Sequence, residues 1–285
     1  MANIRVCVVG CGAIGSEICK AIDTDKVDGH ALDLRMELKL LIDTHPERIE
    51  QLRNDLITKP ELIKTDNTGL DEAFEDVDLV IECASQVAVR EFLIPALKNG
   101  KDVMILSVGA LLCDLGLFEE IERISKEKDC KVYIPSGAIA GLDGLKAGAI
   151  AGIRSVELTT RKPPQGFEGN AYVRERGIDL SSITEAQTLF SGSANEAVEH
   201  FPENINVAAS LSIVGIGPEA TQVKIVADPA AKKNKHEIEV KGEFGELFVR
   251  VKNVPSMSNP KTSYLAALSA IATLKRISYP IRVGT

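Results

Sequence analysis

The chain has 285 residues, of which 45% are apolar and 26% are charged, a composition typical of a folded globular protein. Its 33 Lys and Arg residues against 41 Asp and Glu residues give a net charge of −8, and Trp is absent. An acidic chain with few aromatic residues lacks the basic face and the stacking surfaces of a nucleic-acid-binding protein. The sequence contains neither a signal-peptide pattern nor an apolar span of roughly 20 residues, so we expect a cytoplasmic protein without a membrane partner.

Short apolar runs alternate with helical patterns through the first half of the chain, which is typical of βαβ units. Apolar runs predict five buried strands, at residues 4–9, 38–42, 79–83, 103–108 and 131–134. Four helices are predicted among them, at residues 13–22, 47–56, 87–98 and 117–127. This order favours an α/β fold, namely a Rossmann-type doubly wound parallel sheet with helices on both faces.

The pattern changes after about residue 138, where predicted strands occur in clusters. Strands are expected at residues 155–161, 222–227, 237–241 and 246–252, with helices at 141–150, 194–201, 207–214 and 264–277. Clustered strands favour a second α+β domain with an open, mainly antiparallel sheet. We therefore predict a Rossmann domain at residues 1–138 and an α+β domain at 139–258, with segment 259–285 returning its helix to the first domain.

A glycine-rich loop follows the first predicted strand and opens the first predicted helix. It has the GxGxxG pattern, with glycines at 10, 12 and 15 and with Ala13 and Ile14 between the last two. In this context the pattern is a dinucleotide fingerprint: Gly10 makes the turn, Gly12 admits the pyrophosphate and Gly15 lets the helix approach the sheet. The alternative is a glycine turn without a ligand.

An acidic residue at the end of the second strand completes such a fingerprint, and Asp43 occupies that place. A carboxylate there binds the ribose hydroxyls and repels a 2′-phosphate, so NAD is favoured over NADP, although Arg48 leaves NADP possible. The alternative is that Asp43 only caps the following turn. The run from Glu82 to Ser85, which includes Ala84, lies at the carboxyl end of the third strand and is expected to border the cofactor, because ligands bind at that edge of the sheet.

No metal site is expected, because the six cysteines form no CxxC pair and no histidine stands at zinc-finger spacing. Cys7 and Cys83 lie in apolar runs and are predicted to be buried and reduced, while Cys11 lies in the glycine loop. From its position between a loop and a strand of the second domain, we expect His236 to be an exposed histidine.

Seven segments, ordered along nearly the whole chain, resemble the L-aspartate dehydrogenase family. They are residues 10–15, 136–144, 160–164, 201–209, 215–218, 234–236 and 242–245. The resemblance implies NAD(P)-dependent interconversion of L-aspartate with iminoaspartate, or with oxaloacetate and ammonia. It also implies a place in the supply of quinolinate for NAD synthesis.

By this resemblance His236 matches the family's catalytic histidine, and Ala140 and Asn206 match two cofactor-contacting positions. An imidazole with a pKa near ~6.5 suits proton transfer from the substrate ammonium and activation of water at the imine. Asn206 has an alternative role as a helix N-cap, and for Ala140 the alternative is close helix packing. Arg161 and Lys162 are candidates for binding the substrate carboxylates, the alternative being a solvated strand end.

Two other functions stay open on the sequence alone. One is a related two-domain reductase, such as a homoserine dehydrogenase or a dihydrodipicolinate reductase relative. The other is a dinucleotide sensor without catalysis. In each case the ligand is a small molecule, and the open sheet of the second domain leads us to expect a homodimer.

Overall fold

A computed structural model describes residues 3–60, 62–114, 116–201, 205–256, 259 and 262–284. The chain divides into two compact units. The first comprises Met1–Pro135 together with Ala267–Arg282, and the second comprises Ser136–Ala266 together with Val283–Thr285.

The first unit contains eight strands and seven helices within its described N-terminal part. The strands are β1 (Ile4–Val9), β2 (Lys26–Val27), β3 (His30–Ala31), β4 (Met36–Ile42), β5 (Leu62–Lys64), β6 (Leu79–Glu82), β7 (Asp102–Ile105) and β8 (Val132–Tyr133). The helices are α1 (Ala13–Thr24), α2 (Pro46–Asp55), α3 (Leu70–Ala73), α4 (Gln86–Ala88), α5 (Ile94–Lys98), α6 (Ala110–Cys113) and α7 (Leu117–Lys128).

Six of these strands form one parallel sheet in the order β5-β4-β1-β6-β7-β8. The order reverses at β1, as in a Rossmann sheet. The central strands β1 and β6 are largely buried, because apart from Arg5, Cys7 and Glu82 they consist of Val, Ile and Leu, as a parallel sheet covered by helices requires. The predicted fold class of this half is confirmed.

Asp43 lies 28 residues after Gly15, whereas the acidic residue of such a fingerprint usually follows after roughly 20 residues, and a small hairpin accounts for the additional residues. Strands β2 and β3 pair antiparallel within the polar connection between α1 and β4. Backbone φ is positive at four non-glycine residues around it, which are Asp25, Asp28, Asp33 and Arg35. Asp and Asn tolerate such angles better than most residues, so the Asp-rich connection folds back in tight turns.

The predicted helix at residues 87–98 is interrupted by a π-helical turn at Val89–Leu93, between α4 and α5. Pro95 lies in the first turn of α5. Proline has no N–H to donate to the preceding turn, and its ring displaces the carbonyl there, so the ladder shifts by one residue.

The second unit contains five strands and four helices in its described part. The strands are β9 (Ile153–Lys162), β10 (Gln187–Ser193), β11 (Gln222–Ala227), β12 (Lys235–Gly242) and β13 (Gly245–Lys252). The helices are α8 (Leu142–Ala151), α9 (Ala171–Glu175), α10 (Ala194–His200) and α11 (Ile205–Val214), with 3-10 turns at Pro164–Phe167 and Leu180–Ser182.

These strands form a mixed sheet in the order β10-β11-β9-β12-β13. Three of its four strand pairs are antiparallel, and β11 with β9 is parallel, so the mainly antiparallel sheet is confirmed. Side chains alternate along β12, where Ile238 and Val240 are buried and Glu237 and Glu239 are partly exposed. One face therefore belongs to the core and the other carries charge.

Glycines let α8 approach the core face of this sheet closely. A Cβ at Gly148 would lie 2.6 Å from the ring of Phe244, and one at Gly144 would touch Leu247. Larger residues would push the helix away from the sheet.

The last helix, α12 (Tyr264–Ser278), begins in the second unit and continues in the first. Its buried residues Ala270, Ile271 and Leu274 belong to the same apolar cluster as Ile18 of α1 and Met36 of β4. Within the described residues no helix is long and apolar enough to span a membrane.

Candidate active site

The glycine loop of the first unit turns directly from β1 into α1. Gly10 has a φ of +100°, and a Cβ there would lie 2.8 Å from the backbone of Ala84. A Cβ at Gly15 would overlap the carbonyl oxygen of Gly10. Gly12 is the N-cap of α1, and a Cβ there would meet nothing within 4 Å. Two glycines are thus required by the fold, whereas Gly12 leaves open space at the helix N-terminus.

Asp43 lies directly after β4 and is buried against this loop. Its Oδ2 accepts a hydrogen bond from the Cys11 N–H (2.7 Å), and its Oδ1 accepts one from the His45 N–H (2.8 Å). The His45 Nδ1 lies 3.2 Å from the same Oδ1. Asp43 therefore caps the turn and also lies at the glycine loop, so the two interpretations of its role are compatible.

Glu82, at the end of β6, is a buried residue whose role the sequence did not indicate. Its Oε1 accepts hydrogen bonds from the N–H groups of Ala84 (2.8 Å) and Ser85 (3.0 Å) and from the Ser107 hydroxyl (2.8 Å). Its Oε2 accepts from the Ser107 N–H at 3.0 Å. Burial raises the pKa of the Glu82 carboxyl, and the hydrogen bonds oppose that rise. Glu82 thus fixes the loop that carries Ala84 against the end of β7.

The first unit brings its predicted cofactor residues together. Gly10, Gly12, Gly15, Asp43 and Ala84 all lie at the carboxyl edge of the sheet, and the first turn of α1 contributes two more, which are Ala13 and Ile14. An uncapped helix N-terminus beside open space attracts a pyrophosphate, and a carboxylate at the end of the neighbouring strand suits a ribose. These residues fit a dinucleotide.

The thiols near this loop are neutral. Burial, together with the charge of Asp43, raises the pKa of Cys11 to about 12, and burial raises the pKa of Cys7 and Cys83 as well. All six cysteines are free. A thiol is a poor nucleophile and a poor metal ligand until it is deprotonated. Among the described residues no group of His, Cys, Asp and Glu is placed to hold a metal ion.

His236 lies in β12 on the core face of the second sheet, with only 6% of its surface exposed. The expectation of an exposed histidine is therefore wrong, because the strand begins at Lys235 and places the next side chain inward. The His236 Nδ1 lies 3.0 Å from the hydroxyl of buried Thr160, which is its partner across the strands. This contact fixes the orientation of the ring.

The environment of His236 also changes the expected pKa. Burial, together with the positive charge of Lys162, lowers the pKa of His236 to about 4 instead of the ordinary 6.5. The imidazole is therefore neutral throughout the physiological pH range in the protein alone.

The two cationic candidates on β9 point in different directions. Arg161 is on the charged face, where its Nε lies 3.2 Å from a carboxylate oxygen of Glu237. Lys162 is two residues beyond Thr160 and so follows it on the same face of the strand, near His236. Only Lys162 accompanies the histidine.

Ala140 and Asn206, the two remaining predicted cofactor residues, are exposed in the second unit. Ala140 lies in the loop before α8, and its exposure makes close helix packing the wrong explanation for its small size. Asn206 lies within the first turn of α11 rather than at its N-cap, because the helix includes Ile205. The neighbouring residues 202–204 of this family-like segment are outside the described residues.

The other histidines have different surroundings. His30 is exposed in the hairpin of the first unit, and His45 lies beside Asp43. His200 ends α10, where its ring lies 4.5 Å from that of Tyr172. None of these three lies on the core face of the second sheet.

Two family models match successive parts of the chain. "Homoserine dehydrogenase, NAD binding domain" matches residues 10–135, and "Aspartate dehydrogenase, C-terminal" matches residues 143–277. Together with the dinucleotide fit of the first unit and the buried histidine of the second, they define the class, a pyridine-nucleotide-dependent dehydrogenase built of two units.

Relatives that match the whole chain show which family of dehydrogenases it belongs to. The chain is 51% identical to L-aspartate dehydrogenase of Methanococcoides burtonii over 286 residues, covering 99% of this chain and 100% of that one. The solved structure of aspartate dehydrogenase from Thermotoga maritima matches with a TM-score of 0.74 and 27% identity, over 99% of this chain and 100% of that one. The chain belongs to the L-aspartate dehydrogenase family.

A solved structure of lower similarity belongs to one of the alternative functions, homoserine dehydrogenase. A homoserine dehydrogenase from Thiobacillus denitrificans matches with a TM-score of 0.61 and 15% identity, over 98% of this chain and 74% of that one. At that identity the likeness concerns the fold alone.

Proposed function

We propose that the protein is an L-aspartate dehydrogenase that interconverts L-aspartate with iminoaspartate, or with oxaloacetate and ammonia, using a pyridine nucleotide. The observation that carries this proposal is His236, a buried, oriented and neutral imidazole in the unit that matches the aspartate dehydrogenase C-terminal model. In the oxidative direction the substrate Cα loses a hydride and its ammonium group loses a proton. The bound dinucleotide supplies the acceptor for the hydride.

In this proposal His236 takes that proton. Thr160 contacts its Nδ1, so Nε2 is the nitrogen left for the substrate. A pKa of about 4 makes the free imidazole a weak base. A substrate with two carboxylates raises the pKa of a nearby imidazole, because negative charge favours its protonated form. Substrate binding therefore activates the base.

Lys162 is our candidate for binding one substrate carboxylate. It shares the core face of β9 with Thr160, and its charge reaches His236. A carboxylate beside Lys162 would offset the positive charge that now lowers the pKa of the histidine. Arg161 is the weaker candidate, because it lies on the opposite, charged face of the strand, beside Glu237.

We propose NAD as the preferred cofactor, with NADP as a possible second one. Asp43 is a carboxylate at the glycine loop, and the ribose of NAD offers it hydroxyls where NADP would offer a phosphate. Titration with NADH and NADPH tests this. We expect tighter NADH binding, and a smaller difference in Asp43→Asn; equal affinities in the unchanged protein would contradict the assignment.

We further propose a homodimer that uses the charged face of the second sheet. On this face Phe248 is 58% exposed, and the Arg250 guanidinium lies 5.4 Å from its ring centre. An exposed aromatic residue with an arginine is typical of interface centres. Light scattering should give a dimer mass for the unchanged protein and a lower mass for Phe248→Asp; a monomer at working concentration would overturn the proposal.

The six free cysteines suit a reducing compartment, so we propose that the enzyme works in the cytoplasm. Iminoaspartate released there can be consumed by quinolinate formation, which would place the enzyme in pyridine nucleotide synthesis.

Purified protein mixed with oxaloacetate, ammonium and NADH tests the proposed reaction, followed by loss of the reduced-nicotinamide absorbance. We expect oxidation that requires ammonium. Oxidation without ammonium would indicate a hydroxy-acid dehydrogenase, and bound NADH without any oxidation would favour the sensor.

A further inference from the structure

Asn253 follows β13 directly and is only 2% exposed. Its backbone N–H donates a hydrogen bond to the carbonyl of Asn234 (2.8 Å), and its side-chain Nδ2 donates one to the carbonyl of Ala138 (2.9 Å). Both carbonyl acceptors lie close in sequence to predicted site residues. Asn234 lies two residues before His236, and Ala138 lies two residues before Ala140.

The segment that Asn253 bonds contains two glycines. Residues 136–141 connect β8 to α8 and include Gly137 and Gly141, both with positive φ. A glycine-containing loop has much conformational entropy to lose when it is ordered. A buried side chain that bonds the backbone of such a loop restricts it without contacting the ligand itself.

The side-chain oxygen of Asn253, Oδ1, lowers the stability of the folded protein. In the part of the chain that the structure describes, this buried oxygen has no hydrogen-bond partner. An unsatisfied buried acceptor destabilises a protein, and an apolar residue of similar size would avoid the loss. The bond from Nδ2 to the Ala138 carbonyl is the side-chain contact that accounts for an asparagine here.

We propose that Asn253 is a positioning residue that ties the loop carrying Ala140 to the strand end carrying His236. The inference rests on the proposed function, in which Ala140 contacts the cofactor and His236 moves the proton. Asn253 touches neither reactant, and it acts by keeping the two segments of the second unit in one arrangement.

A pair of variants tests this bond. Asn253→Ala removes the donor at every pH. Asn253→Asp removes it when the carboxyl is ionised but restores an O–H donor toward Ala138 when the carboxyl is protonated, and burial raises the pKa of such a group. At pH 8 we expect both variants to lose roughly 10- to 100-fold in kcat, because a displaced reactant loses rate steeply.

The discriminating result is the pH dependence. Relative to the unchanged protein at each pH, we expect kcat of Asn253→Asp to recover at least several-fold between pH 8 and 5.5, and that of Asn253→Ala to stay low. Val240→Ala is the matched control, since Val240 is buried in the same strand as His236, four residues further along, and makes no side-chain hydrogen bond to the loop. It should lower the Tm and leave kcat unchanged at temperatures where the protein is folded.

Three results would overturn the proposal. The first is an unchanged kcat in both Asn253 variants, and the second is an equal loss of kcat in Val240→Ala. The third is the same pH profile of kcat for both Asn253 variants. If the unchanged protein shows no ammonium-dependent turnover, the proposed function fails, and hydrogen exchange decides about Asn253 separately. Faster exchange at residues 136–141 in Asn253→Ala than in Val240→Ala supports the tether, and equal exchange contradicts it.

Discussion

The candidate cofactor site of the first unit is built mainly from backbone, whereas the candidate proton-transfer site of the second unit is built from buried side chains. Gly10, Gly12 and Gly15 bring main-chain groups and a helix N-terminus to one edge of the sheet. His236 and Thr160 instead meet inside a core, 76 residues apart in sequence. A site built from glycine backbone is blocked by any added Cβ, whereas the identity of the neighbouring side chains matters little. A site built from side chains is lost when one of those side chains is replaced. Substitutions in the first unit should therefore mainly affect dinucleotide binding, and substitutions in the second should mainly affect turnover.

The largest expected effect comes from the side-chain site. We expect His236→Ala to lower kcat by roughly 10²- to 10⁴-fold, the usual contribution of a general acid or base. The Kd for NADH should stay within about 3-fold, because the dinucleotide residues of the first unit are intact. Initial rates and a fluorescence titration on the same preparation measure both quantities. A variant that keeps its kcat would exclude His236 as the base.

The backbone site predicts a contrast between two glycines. Gly15→Ala should destabilise the protein strongly, because the new Cβ overlaps the Gly10 carbonyl and little can move. Gly12→Ala should leave the Tm nearly unchanged, since the new Cβ enters open space, yet weaken NADH binding by about 10-fold or more. Thermal unfolding and NADH titration check the pair. If Gly12→Ala binds NADH normally, the pyrophosphate does not lie over this residue.

Burial of His236 predicts an acid-sensitive fold. Its folded pKa of about 4 lies below the unfolded value of 6.5, so the unfolded state binds the proton more readily. The associated stability is complete above pH 6.5 and is lost as the pH falls toward 4, by up to about 3 kcal/mol.

Denaturant unfolding at several pH values measures this loss. His236→Gln should lose less stability than the unchanged protein between pH 6.5 and 4, whereas His30→Gln, altered at an exposed position, should keep the full dependence. Equal dependence in all three proteins would mean that His236 is not buried as described.

The smallest effect is expected at the partner of the histidine. Thr160→Val keeps the shape of the side chain but removes the hydroxyl that contacts Nδ1. The ring can then rotate and change tautomer, so we expect kcat to fall by about 10-fold with little change in the NADH Kd, in line with the usual strength of one hydrogen bond. Thr160→Ser should retain most of the rate. If Thr160→Ser is as slow as Thr160→Val, packing rather than the hydroxyl matters.

The same difference between the units decides what the sequence could predict. The bounds of β1 and the place of Asp43 follow from an apolar run that ends at a glycine or at an acid, because local pattern determines both. Strand β10 was missed, since its sequence QTLFSGS mixes polar and small residues and gives no clear alternation.

In the second unit the decisive contacts depend on register between distant strands. His236 was assigned by family resemblance, but its burial, its low pKa and its partner Thr160 follow only from the pairing of β9 with β12. Asn253 had no signal in the sequence, because a single asparagine after a strand is ordinary until its two acceptors are known. The roles of Glu82 and Asn253 both come from hydrogen bonds that only the folded chain makes.

In this assignment the first unit supplies the glycine loop that binds the dinucleotide, and the second unit supplies the proton-transfer group. The most direct test is to measure the NADH Kd and the ammonium-dependent kcat with oxaloacetate for Gly12→Ala and His236→Ala side by side. We predict that Gly12→Ala changes mainly the Kd and that His236→Ala changes mainly kcat. If His236→Ala weakens NADH binding as much as it slows turnover, or keeps full turnover, this division between the two units is wrong.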